Sequence, residues 1–201
     1  MLKNPVDVRA KRTETQMQTT LLFLLERKPL HKITVAELCR LCPCNRATFY
    51  DHYQDIYSLA DALEDSVVEQ LRCLMEQIKT VSPDSGAVSE LFFQFLQKYK
   101  HPLRILLRGE TSPVFLQKLD HTIFPFFETM VRQNYLVPPE YRAEQLQAIL
   151  RFLTSGYYGF FLQELEPDST LRPELPQLAA SISDQCLSGF FARSPAHNPL
   201  A

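Results

Sequence analysis

Residues Ile33 to Leu59 read ITVAELCRLCPCNRATFYDHYQDIYSL, and the division of polar and apolar side chains in this stretch decides the fold. Thr34-Val-Ala-Glu37 has the Ser/Thr-x-x-Glu form of a capping box: the Thr hydroxyl accepts from the backbone N–H of Glu37, and the Glu side chain reaches back. A short helix over about Val35 to Leu41 is expected, with Val35, Leu38, Cys39 and Leu41 on its apolar face. Cys42-Pro43-Cys44 breaks it, since proline lacks the N–H that a continuing helix needs. Asn45 then caps a second short helix, about Arg46 to Tyr53. From Cys44 to Tyr53 stand an Asn, an Arg, a Thr, a His and two Tyr, more polar groups than a core helix requires.

Two short helices joined by a tight turn, the second polar on its outer face, describe a helix-turn-helix. Such a second helix presents its N-terminal end to base edges and phosphates in the major groove. Asn45, Arg46 and Thr48 stand there. Arginine bonds a guanine edge bidentately or grips a phosphate, asparagine suits adenine, and threonine bonds or touches a thymine methyl. Tyr50 and His52 can donate to phosphate oxygens, which sets position rather than sequence. Phe49 and Tyr53 fall on the opposite face and should pack inward.

The elements ITVAELC, CNRATFYDHYQD and Leu59 resemble the DNA-binding domain of TetR-family repressors, and the resemblance runs from Arg9 to about Leu63. It implies an all-α homodimer: a three-helix helix-turn-helix head at 1–55, and a ligand-binding and dimerisation bundle at 56–201. A fourth helix would link the two and tilt when an effector binds. By position, Asn45, Arg46, Thr48, Tyr50 and His52 carry over as recognition-helix contacts, and Thr34 as the cap of the second helix near a phosphate. Pro43 stands where the family usually has the glycine of the turn, and Ile56 where it often has a phosphate-gripping lysine.

The rest of the chain is also helical in period. Met17, Leu21, Leu24 and Leu25 share one face of a first helix from about Val8 to Arg27. Asp55 caps a long helix whose stripe is Ile56, Leu59, Leu63, Val67, Leu71, Leu74 and Ile78. Ser82 to Gly86 reads as a loop. An aromatic helix around Leu91 to Tyr99 and a separate short one from Pro102 to Arg108 follow. A longer helix starts near Pro113, with a kink expected at Pro125. Pro138-Pro139 should open a helix to Leu165; Glu166 to Arg172 is a linker, and a last helix spans about Pro173 to Ala192 before a tail from Ser194. The aromatic run between 91 and 127, with His101, Arg104 and His121, is a candidate wall for an apolar or aromatic small-molecule effector, although aromatics at helical spacing are more often plain core. Tyr157, Tyr158, Phe152, Phe160 and Phe161 with Gly156 and Gly159 on one helix, and Leu178, Ile182, Leu187, Phe190 and Phe191 on the last, suggest a two-fold four-helix interface.

Composition narrows the classes. The 201 residues carry a net charge of −2, so a uniformly basic coat is excluded, yet residues 1–56 balance to +3 and the remainder to −5. Lys3, Arg9, Lys11 and Arg12 concentrate the positive charge at the start, as expected of an end that meets a polyanion. No apolar run reaches the roughly 18 residues of a membrane span, and the N-terminus lacks a secretory core, so a cytoplasmic protein is expected. The five cysteines are odd in number, with Cys39, Cys42 and Cys44 close together. Their spacing is too short for a zinc knuckle, so structural thiols are the expected reading, with redox sensing by Cys42 or Cys44 the next alternative and Cys42 the most exposed of them. No nucleophile elbow, phosphate loop or His-Glu-x-x-His supports catalysis, and no metal or cofactor is called for. The function expected is a dimeric DNA-binding transcriptional regulator, a repressor relieved by a small molecule. The alternative is an interaction protein of the same fold that has lost DNA binding.

Overall fold

A computed structural model of the chain describes residues 5–80, 85–109, 112–165 and 174–194. The described residues form eight α-helices: α1 (Pro5–Leu25), α2 (Val35–Leu41), α3 (Arg46–His52), α4 (Ile56–Thr80), α5 (Ser85–Arg108), α6 (Ser112–Asn134), α7 (Ala143–Glu164) and α8 (Glu174–Phe190). A single 3-10 turn, Leu30–Lys32, joins α1 to α2. The fold is all-α, as the periodicity implied. Among the described residues the one sheet is an antiparallel pair of two-residue strands, β1 (Tyr135–Leu136) and β2 (Ala192–Arg193), with Tyr135 opposite Arg193.

The chain divides into two compact units, residues 1–67 with 105–116, and residues 68–104 with 117–201. In the first, Met17, Leu21 and Leu24 of α1 are buried along with Leu30, Ile33, Leu38, Phe49, Ile56, Leu59, Leu63 and Phe115. Removing such side chains from water stabilises the unit by about 1.5–3 kcal/mol each. Gln18 donates to the backbone carbonyl of Ala62, tying α1 to α4 at 3.5 Å. In the second unit the core gathers Phe124, Val131, Tyr135, Leu146, Leu150, Leu153, Leu187 and Phe191. The seven-residue stripe expected on α4 is buried throughout.

Several expected boundaries move. α5 is one helix from Ser85 to Arg108 rather than two, and Pro102 sits inside it. A proline in a helix interior costs about 3 kcal/mol, but Leu96, Leu103 and Leu106 are all buried on either side of it, and one continuous apolar stripe outweighs the lost bond. α6 is the one long helix expected there, with Pro125 inside it. α7 starts at Ala143, after a turn in which Tyr141 N–H bonds the Pro138 carbonyl at 3.0 Å. The Arg142 N–H is taken by the Gln145 side chain at 3.0 Å, so the start is set by that reach-back rather than by the proline pair. α8 stops at Phe190 and the chain turns into β2, where Ser194 N–H bonds Asn134 carbonyl at 2.9 Å. The expected linker at Glu166 to Arg172 lies outside the described residues, as does the tail beyond Ser194. No helix among the described residues is long and apolar enough to cross a membrane.

Candidate nucleic-acid interface

Caps written in the local sequence place α2 and α3. Thr34 is extended, and its hydroxyl accepts from Glu37 N–H at 3.2 Å, as expected. The second half of the capping box does not form: the Glu37 carboxylate pairs with the ammonium of Lys28 instead. That ammonium also donates to the Lys32 carbonyl at 3.1 Å, so it clasps the approach to α2. At the other end Cys42 N–H bonds Leu38 carbonyl, and the Cys44 N–H bonds the Cys42 carbonyl at 2.7 Å across Pro43. This three-residue turn needs only negative φ, which proline supplies. No described residue has a positive φ, so the absent glycine is not missed.

Asn45 caps α3: its side-chain carbonyl accepts from Thr48 N–H at 2.8 Å. That bond takes one lone pair of the Asn45 oxygen, and the exposed side chain keeps its amide NH2 as a donor. Phe49 is fully buried and Tyr53 half-buried, their rings 5.9 Å apart, so the inward face is as expected. The outward face presents Arg46, which is exposed, and Tyr50, 58% exposed; Thr48 is half-buried. His52 is drawn back towards α1. Its Nδ1 lies 3.2 Å from the Glu14 carboxylate, and its side chain is 18% exposed. Burial first, and then the Glu14 charge, push the Tyr53 hydroxyl upward, with Gln18 partly opposing them.

Glu14 and Lys28 shape this site and were not legible in the sequence, because each partner lies on a different element. Asp55 and Ser58 start α4 reciprocally: Ser58 N–H bonds the Asp55 carboxylate at 2.7 Å and Asp55 N–H bonds the Ser58 hydroxyl at 3.1 Å. Ile56 is buried, so it serves the core. Arg9, Lys11 and Arg12 are exposed along α1; Lys3 lies outside the described residues.

The cysteines require a correction. Cys42, expected to be the exposed one, is 4% exposed, because its N–H closes α2 and its side chain turns into the core. Cys39 and Cys44 are half-buried with their sulfurs 4.0 Å apart. Leu41 also departs from expectation, being half exposed rather than part of the inner face of α2. Among the described residues no three His, Cys, Asp or Glu side chains are grouped as a metal site.

In the second unit, Phe93, Phe95 and Phe124 are buried; Tyr99 stacks against Phe95 at 4.7 Å and donates to Gln70 at 2.9 Å. The Arg151 guanidinium sits 3.8 Å over Phe124 and pairs with Asp120 at 2.6 Å. His101 and His121 are exposed and Arg104 is half-buried. A cavity of about 270 Å³ lies in the first unit, lined by Leu25, Lys28, Leu30, Ala60, Leu106 and Arg108 among others. On α7 and α8, Phe152 is 78% exposed, and Leu162, Leu178, Ile182 and Phe190 are exposed too. Gly156, Gly159 and Gly189 have open space where a side chain would stand.

Two short capped helices joined by a tight turn, followed by a helical bundle, define a class: an all-α chain with a helix-turn-helix head. Solved structures narrow it. A TetR transcriptional regulator from Streptococcus agalactiae 2603V is 18% identical, covers 88% of this chain and 96% of its own, and has a TM-score of 0.65. A TetR-family regulator from Syntrophomonas wolfei is 12% identical, with coverage of 89% and 96% and a TM-score of 0.71. The dihydroxyacetone kinase operon activator DhaS is 13% identical, with coverage of 90% and 98% and a TM-score of 0.56. No family model and no curated protein matches the chain. The chain has the fold of TetR-family transcriptional regulators.

Proposed function

We propose that this protein is a cytoplasmic, homodimeric, sequence-specific DNA-binding transcriptional regulator, and that it represses until a small apolar or aromatic effector releases it. The observation that carries the reading is the split of α3: Phe49 is fully buried, while Arg46 and Tyr50 stand exposed on a helix whose first turn is fixed by Asn45. An anchored helix with a polar outer face is what a major groove accepts. In this reading Arg46 contacts a guanine edge or a phosphate. Thr48 and the Asn45 amide touch neighbouring bases, and Tyr50, His52 and Thr34 address the backbone. Residues 1–55 form the head, and the remainder the effector and dimer body. The exposed apolar residues of α7 and α8 support pairing of two copies through these helices, because such a surface on a lone chain is costly to leave in water. Effector binding in the body shifts the population between dimers whose heads fit the operator and dimers whose heads do not.

Activation is the second reading of the sign of control, since DhaS, of the same fold, is an operon activator. Selection of duplexes from a random pool tests class and stoichiometry together. The expected result is a two-fold consensus whose half-sites lie about one helical turn, or a multiple of it, apart. On the selected duplex Arg46→Ala should weaken binding by about 10- to 100-fold, the cost of a lost base contact of about 1–3 kcal/mol. Arg46 is exposed, so its unfolding midpoint should not move. No enriched duplex at low salt would favour an interaction protein that has left DNA binding behind, a reading to which the buried Ile56 lends weight.

A further inference from the structure

Three thiols, Cys39, Cys42 and Cys44, stand in or beside the turn between α2 and α3, and the reading of DNA uses none of them. Cys39 belongs to α2, and Cys44 immediately precedes the cap of α3. The Cys44 thiol points at the Cys39 sulfur from 4.0 Å, and both residues are half-buried, open to a small oxidant. We infer that Cys39 and Cys44 are an oxidisable pair that closes to a reversible disulfide, clamping the turn and lowering affinity for DNA. The second half of this inference rests on the function proposed above.

Reach permits the bond. A disulfide holds its sulfurs about 2.05 Å apart, so the pair must close by about 2 Å. Moving one cysteine between staggered rotamers carries its sulfur on the order of 3 Å, so a side-chain rotation suffices to start the closure. Peroxide is an adequate oxidant. The Cys39 sulfur attacks one peroxide oxygen, the O–O bond breaks, and a sulfenic acid forms with release of one water. The Cys44 sulfur then attacks the Cys39 sulfur; the S–S bond forms, the S–O bond breaks, and the second water leaves with the Cys44 proton. Two thiols and one peroxide thus give one disulfide and two waters.

The surroundings select this product over a soft metal ion held between the two sulfurs. Burial first, then the neighbouring Cys42 and Cys39, push the Cys44 thiol up to about 12. A site that keeps a thiol protonated disfavours a pair of thiolates, but it does not penalise a neutral disulfide. Closure acts on DNA binding through position. Cys44 adjoins Asn45, whose side chain holds the first turn of α3 at Thr48, and Arg46 follows directly.

The test uses the full chain treated with hydrogen peroxide, blocked with N-ethylmaleimide and cut with trypsin. Cleavage after Arg40 and Arg46 separates ITVAELCR from LCPCNR, so the expected finding is these two peptides joined, with two hydrogens lost and dithiothreitol releasing them. In Cys44→Ser the joined pair should vanish. Oxidised wild type should bind the selected duplex at least about tenfold more weakly, dithiothreitol should restore it, and Cys44→Ser should be indifferent to peroxide. Absence of the joined peptides, or their persistence in Cys44→Ser, overturns the site. Undiminished affinity with the link formed overturns its effect on DNA. If the reduced chain binds no duplex, the proposed function fails, and the peptide readout alone decides the disulfide.

Discussion

The turn of the head and the close of the second unit are tied in opposite ways. Around α2 and α3 the decisive bonds span three residues each: Thr34 with Glu37, Asn45 with Thr48, Asp55 with Ser58. The second unit closes through Tyr135, whose hydroxyl donates to Asp184, 49 residues away, while Arg193 of β2 pairs with the same carboxylate. Short ties form wherever the local chain is helical; long ones exist only once the whole unit has folded. Their outer faces differ as well. The head shows Arg46 and Tyr50 to solvent, whereas α7 and α8 show Phe152, Leu178 and Ile182. One surface suits a charged polymer and the other a second apolar face.

The sharpest way to break this contrast is Phe49→Ala. Caps contribute about 1 kcal/mol each, whereas emptying the site of a fully buried phenylalanine costs about 3–5 kcal/mol. Chemical denaturation followed by circular dichroism should register that loss, with operator binding abolished. A loss below about 1 kcal/mol would mean that local caps alone hold α3. Next in size is the pair Phe152→Glu with Ile182→Glu. If these residues meet a second copy, sedimentation should find the dimer dissociation constant raised by at least about 30-fold, the equivalent of about 2 kcal/mol. The stability of the head should be unaffected. A dimer that survives both charges has its interface elsewhere.

The long tie makes the second unit sensitive to pH at both ends. Burial of Asp184 would lift its carboxyl, but the Tyr135 hydroxyl and Arg193 outweigh it and hold it below the usual range. Its contribution is therefore present above the ordinary carboxylate value of about 3.9 and is lost as pH falls through the depressed folded value. Tyr135 is raised, by burial first and then by its bond to Asp184. Its contribution is complete below the ordinary value of about 10 and is lost as pH rises through the folded one. Tyr135→Phe should cost about 1–2 kcal/mol at neutral pH, shrink the alkaline loss, and weaken the acid one as well, because its hydroxyl is the first of the groups that hold Asp184 down. An unchanged alkaline limb in thermal melts would dissociate Tyr135 from it.

What the sequence disclosed follows the same division. Thr34, Asn45 and Asp55 announce their helices because cap and partner are neighbours, and the α4 stripe is legible because burial repeats with the helix. The head's class was readable from Ile33 to Leu59 for that reason. The continuous α5 was not: Pro102 is a strong local signal, and only packing on both sides of it reveals that it is overruled. The exposure expected of Cys42 failed similarly, since helical spacing does not say which way a residue in a turn will face. Glu37 was assigned to its own helix start, when a lysine nine residues earlier competes for it.

His52 is the subtlest case, because an N-terminal partner changes its chemistry. If Nδ1 carries the proton given to Glu14, the neutral ring presents Nε2 as an acceptor, and a phosphate contact then requires a second proton. The Glu14 side chain is 44% exposed, so the pair is screened and Glu14→Gln should cost less than about 1 kcal/mol. The informative comparison is with His52→Ala. If His52 mainly braces α3 against α1, both variants should weaken DNA binding by similar small factors and leave its salt dependence unchanged. If a protonated His52 grips a phosphate, only His52→Ala should flatten the slope of log affinity against log salt, by about one unit. Affinity measured across a salt series on one duplex separates a brace from a contact, even though both lie on the same helix.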